Sequence, residues 1–68
     1  MTIYVNNDPT IIDDSINSVA ALIQYLYPDT AGNVAIAKDN KLILRSTWNQ
    51  VSVNENDEFT IITAAFGG

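Results

Sequence analysis

The sequence predicts an α+β fold in which one main helix packs on one face of a mixed sheet of four to five strands. Three observations support this prediction. Several short segments alternate apolar and polar residues, one segment alone has amphipathic-helix spacing, and turn-forming residues separate them. A single helix covers one face of such a sheet and leaves the other face open, which is an α+β arrangement.

The first elements are a strand, a turn and a second strand. Residues 1–5 alternate apolar and polar positions, which predicts a half-buried strand with Tyr4 on the outer side. Residues 6–9 are dense in turn formers and should reverse the chain. Residues 10–13 then complete a predicted N-terminal hairpin.

The helix is predicted over residues 19–27. Its apolar positions have i, i+3, i+4 and i+7 spacing, so they form one face toward the core: Val19, Leu22, Ile23 and Leu26. Ser18 is the predicted N-cap, with Asn17 as the alternative, and Pro28 ends the helix.

The segment after the helix is predicted to form short strands joined by turns. Strands are expected over residues 34–37 and 42–44, with a turn at Asp39-Asn40. An irregular or 3₁₀ turn follows over residues 45–50, in which Trp48 closes one end of the core. Residues 51–53 form a brief extended piece.

The last strand begins after a turn in which Asn56 takes the left-handed conformation. Phe59 and Ile61 alternate with Thr60 and Ile62, so the first pair is expected to face the helix and the second pair solvent. This element order suggests the ubiquitin-like β-grasp, in which the first and last strands lie parallel at the sheet centre. We expect a single domain over residues 1–68, with residues 64–68 as a flexible C-terminal tail.

Composition excludes several classes of function. The chain has no cysteine and no histidine, which removes thiolate nucleophiles, zinc–thiolate sites and the commonest general base. No metal site, cofactor or enzymatic activity of its own is expected. The net charge of −5 argues against nucleic acid as a partner. No signal peptide or membrane span is evident, which favours a cytoplasmic protein without a membrane partner.

The chemically singular group is the carboxylate of Gly68. Gly67 and Gly68 lack a Cβ, so the tip could thread a channel too narrow for side chains, with Phe66, Ala65 and Ala64 behind it. The exposed side of the last strand, with Ile62 and Thr60, forms a candidate docking strip that leads to this tip. The alternative is a frayed terminus with no chemistry.

Four parts of the sequence form a recognisable set: the helix SVAALIQYL, the block LILRSTWNQ with Arg45 and Trp48 at Arg-x-x-Trp spacing, the turn NENDE, and the terminal Gly67-Gly68. In these parts, and over its whole length, the sequence resembles the ThiS family, the small β-grasp sulfur carriers of thiamine biosynthesis. It departs from the usual family pattern at Asp39-Asn40, at Leu44 and at Phe66.

The resemblance implies a reaction cycle at Gly68. A ThiF-type adenylyltransferase, related to ubiquitin-activating enzymes, would adenylate the carboxylate. A persulfide sulfur donor would convert it to a thiocarboxylate, and a ThiG-type thiazole synthase would use the sulfur for the thiazole ring. ATP is then the partner's substrate and not a cofactor of this chain.

Other functions fit the same sequence. The chain could be a sulfur carrier of another pathway, like the small subunit of molybdopterin synthase. It could be a ubiquitin-like modifier whose Gly68 joins a lysine amine. It could also be a plain interaction module with an inert tail.

Overall fold

A computed structural model describes residues 1–29 and 31–63 of the chain. The strands are β1 (Thr2–Val5), β2 (Asp8–Ile11), β3 (Val34–Lys38), β4 (Lys41–Leu42) and β5 (Glu58–Thr63). The helix α1 spans Val19–Leu26, and 3₁₀ turns span Ala31–Asn33 and Arg45–Thr47. In these described ranges, no helix is long and apolar enough to cross a membrane. The predicted tail, residues 64–68, lies outside them.

The sheet confirms the predicted fold class and topology. Its five strands lie in the order β2-β1-β5-β3-β4, so β5 is central. β1 pairs with β5 in parallel, with Tyr4 opposite Glu58 and Val5 opposite Phe59, while the other neighbours are antiparallel. The chain therefore has a mixed sheet with its first and last strands adjacent, as the β-grasp prediction requires.

The core lies between α1 and the inner face of the sheet. The helix begins at the predicted N-cap, where the Ser18 hydroxyl accepts a 3.1 Å hydrogen bond from the Ala21 amide. Trp48 is buried at the edge of the core, as predicted, and its indole N–H donates to the Ile43 carbonyl at 3.2 Å. The buried residues are Ile3, Ile12, Ile16, Val19, Leu22, Ile23, Val34, Ile36, Trp48, Val53, Phe59 and Ile61.

The first hairpin is tighter than the sequence suggested. Asn6 and Asn7 both have positive φ, 53° and 72°, and this pair of left-handed residues makes a two-residue turn. β2 therefore starts at Asp8, two residues before the predicted start, and includes Pro9. Proline fits here because β2 is an edge strand and Pro9, with no N–H, lies at a position whose backbone nitrogen points away from β1.

Two later segments are also less extended than expected. β4 covers two residues because the chain turns at Leu44, whose carbonyl accepts both the amide and the hydroxyl of Thr47 at 2.8 Å. The extended piece around Ser52 joins no sheet and forms one isolated bridge to Ser18. The predicted turn at Asp39-Asn40 and the left-handed Asn56 are confirmed, all three residues having positive φ.

Candidate functional site

The candidate site is built on the two faces of β5. On the inner face, Phe59 and Ile61 are 2% and 4% exposed, and they pack into the core. On the outer face, Thr60 is exposed and Ile62 is 65% exposed. The alternation read from the sequence is therefore confirmed for these four residues, because successive side chains of a strand point to opposite sides.

Further apolar residues surround Ile62 on the outer face, and sequence reasoning missed them. Ala35 lies opposite Ile62, and Ala37 lies opposite Thr60 on one side and Leu42 on the other. Directly opposed residues share a face of the sheet, so these residues form one surface. Leu42 is 67% exposed. We call Thr60, Ile62, Ala35, Ala37 and Leu42 the outer patch.

Part of the outer patch could have been found from the sequence. In β3 the large residues Val34 and Ile36 are buried, and the small residues Ala35 and Ala37 alternate with them on the other side. That size alternation indicates a flat outer surface. The pairing of Leu42 with Ala37, in contrast, depends on the register of β4 and has no local signature.

Two side chains reach β3 and β5 near the point where the described part of β5 ends. The Asn6 carboxamide accepts from the Ile61 amide at 2.8 Å and donates to the Ile61 carbonyl at 3.0 Å. On the other flank, the Arg45 guanidinium donates to the carbonyls of Gly32 and Val34 at 3.1 and 3.2 Å. Arg45 also lies 4.4 Å from the centroid of the Trp48 ring, a cation–π contact.

Charges of both signs lie near β5. Lys38 pairs with Asp57 at 3.2 Å, and its ammonium also donates to the Ser52 carbonyl. Asp39 and Glu58 line a shallow polar cleft of about 300 Å³ on the outer side of the sheet, together with Tyr4. Within residues 1–29 and 31–63 no three acidic side chains come together as metal ligands.

The predicted reactive group, Gly68, lies outside the described residues, as do the other predicted tail residues, Gly67, Phe66, Ala65 and Ala64. The described part of β5 ends at Thr63, which pairs with Val34 of β3, and we call Thr63 the tail root. The two predicted docking residues, Thr60 and Ile62, precede that root on one face.

This architecture defines a ubiquitin-like β-grasp protein with an open outer sheet face and a central C-terminal strand. The sequence model of the ThiS family matches residues 2–68, and the chain belongs to that family. Membership supports a sulfur carrier of thiamine biosynthesis, a class of small proteins that are generally not catalytic themselves.

Solved structures agree on the fold. The crystal structure of a thiamine biosynthesis protein (ThiS) from Geobacter metallireducens superposes with a TM-score of 0.82 at 22% identity, covering all of both chains. An NMR solution structure of a thiamine biosynthesis protein from the same organism gives 0.83 at 22% identity, covering all of this chain and 88% of the other. A comparison with curated protein sequences finds no match.

Proposed function

We propose that the chain carries sulfur as a thiocarboxylate on Gly68 and donates it to the thiazole ring of thiamine. The ThiS family match, which extends through Gly67-Gly68, is the observation that carries this proposal. The position of β5 supports it, because the strand that leads to the tail is the central strand of the sheet. A rigid base of this kind lets a short peptide be presented at a fixed place.

The proposed chemistry starts with a carboxylate, which is a poor electrophile. One oxygen of the Gly68 carboxylate attacks the α-phosphorus of ATP, and pyrophosphate leaves. The terminal sulfur of a donor persulfide then attacks the acyl carbon, AMP leaves, and an acyl disulfide forms. A second thiol attacks the donor's sulfur, which breaks the S–S bond, forms a new disulfide and releases the thiocarboxylate.

The tail and the outer patch have separate tasks in this scheme. In the threaded tail, Gly67 and Gly68 enter the narrow end of the partner's channel, where in-line attack on a phosphate demands accurate placement, and Phe66, Ala65 and Ala64 follow in its wider part. Ile62 and Thr60 dock the domain, because an exposed apolar surface beside the tail root is suited to burial against a partner.

We assign the catalytic steps to partner enzymes. These are a ThiF-type adenylyltransferase, a persulfide donor and a ThiG-type thiazole synthase, all acting with the chain in the cytoplasm. The polar groups around the described part of β5 support this division, since they lie in ion pairs, backbone hydrogen bonds and an open cleft.

Intact-mass spectrometry tests the proposal. The chain is incubated with ATP, the adenylyltransferase and a persulfide donor, and the expected product has one oxygen replaced by sulfur. Products of much higher mass would instead indicate a protein modifier, and an unchanged mass an inert tail. A thiocarboxylate consumed by molybdopterin synthase but not by thiazole synthase would assign the other sulfur pathway.

Variants of the tail provide the control. Gly67→Val, or deletion of Gly68, should abolish adenylation without changing the melting temperature, because the buried core residues of the described chain all lie between Ile3 and Ile61. Adenylation of Gly67→Val at the rate of the parent would contradict the proposed narrow channel.

A further inference from the structure

β1 ends before β5 does, and a side chain continues the pairing. The last backbone hydrogen bond between the two segments runs from the Asn6 amide to the Phe59 carbonyl at 2.9 Å. The next peptide groups of β5 that face this side belong to Ile61. Both are bonded by the Asn6 carboxamide, through Oδ1 to the Ile61 amide and through Nδ2 to the Ile61 carbonyl.

Asparagine is suited to this position for two physical reasons. Its carboxamide has the same donor and acceptor as a peptide group, so it can replace one residue of a strand. It also tolerates the positive φ of 53° that the turn imposes on residue 6. Aspartate lacks the donor, and glycine accepts the backbone conformation but has no side chain.

The opposite flank has a matching arrangement. β4 ends at Leu42, and beyond it Arg45 bonds the Val34 carbonyl on the edge of β3 that faces away from β5. Val34 is also the partner of Thr63, the last described residue of β5. Side chains thus hold both outer edges of the β3–β5 pair where the tail begins.

We propose that Asn6, with Arg45 on the opposite flank, is a positioning residue that keeps β5 aligned through Thr63 and so aims the tail at the activating partner. The proposal rests on the proposed function. Adenylation needs the carboxylate in line with a phosphate, so a deviation at the tail root lowers the fraction of productive complexes. A full strand on either flank would add about 4.8 Å of width, whereas a side chain leaves the tail root narrow.

The first test compares Asn6→Gly with Asn7→Gly. Both residues are left-handed asparagines of one turn, so both changes suit the backbone, and only Asn6 bonds β5. Hydrogen exchange at the Ile61 amide should accelerate about tenfold or more in Asn6→Gly and stay near the parent value in Asn7→Gly. Equal exchange in the two variants would overturn the proposal, whatever the partner does.

The second test measures adenylation kinetics at a temperature where all variants are folded. Asn6→Gly should lower kcat by about tenfold and change KM by less than about threefold, because the outer patch that docks the domain is intact. Asn7→Gly should match the parent.

Two outcomes separate the proposals. Parental kcat in Asn6→Gly would overturn the positioning role and leave the carrier function standing. A parent chain that is not adenylated would overturn the carrier function and the aiming of the tail together, and the exchange test would still decide whether Asn6 braces β5.

Discussion

The two faces of β5 have different environments although they belong to one strand. Phe59 and Ile61 are almost fully buried in the core, whereas Thr60 and Ile62 are exposed on the outer face. One step along the chain thus separates residues that hold the fold from residues in contact with solvent. We therefore expect that stability and the proposed docking can be altered independently in this domain.

The largest effect is expected from a matched pair of variants, Ile61→Asp and Ile62→Asp. A carboxylate at position 61 would be buried without a partner, which should cost more than about 4 kcal/mol and unfold much of a domain this small. At position 62 the charge stays in water, so the loss should be less than about 1 kcal/mol. Urea unfolding measures the free energy of unfolding of both variants. Equal losses of stability in the two variants would contradict the separation of the two faces.

The next largest effect is expected on the KM for adenylation, through the proposed docking surface. Ile62→Asp should raise KM for adenylation by about tenfold and leave kcat near the parent value, because the charge must be desolvated on binding while the tail is unchanged. This pattern is the reverse of the one expected for Asn6→Gly. An unaltered KM would remove Ile62 from the docking surface.

The helix that covers the inner face provides a smaller effect. Ser18→Ala removes the N-cap acceptor of α1 and should lower the free energy of unfolding by about 1 kcal/mol, with docking unaffected. Thermal unfolding measures the loss, and Ser46→Ala, at an exposed position, is the control. A change in KM for Ser18→Ala would indicate that the two faces are coupled.

The smallest effect concerns a carboxylate away from both faces. The Ser15 amide donates to Asp13 Oδ1 at 2.8 Å and lowers the pKa of Asp13 below its usual 3.8. The stability that this carboxylate contributes is therefore present above pH 3.8 and is lost as the pH falls through the lowered pKa. Asp13→Asn should be slightly less stable than the parent at neutral pH, and chemical denaturation should show the difference vanishing in acid. A difference independent of pH would contradict this account.

Much of the fold could be predicted from local patterns. The cap at Ser18, the stop at Pro28 and the turn at Asp39-Asn40 each depend on a few adjacent residues. The predicted start of β2, at residue 10, was wrong because the turn closes at Asn6-Asn7 and the strand begins at Asp8. Pro9 is typical of a turn unless the strand is known to be an edge strand. Of the candidate site, Thr60 and Ile62 were predictable from alternation, whereas Leu42 joined the outer patch through strand register.

By itself, the sequence determined the order of the main elements and the buried sides of α1 and β5, since these follow from periodicity, capping and turn residues close together in the chain. The family followed from the resemblance of the whole chain to ThiS proteins. Only the tertiary structure decided that Asn6 pairs with Ile61 and Arg45 with Val34. These contacts depend on where β1 and β4 stop relative to β5 and β3. Such offsets arise when all the strands pack together, and no local pattern records them.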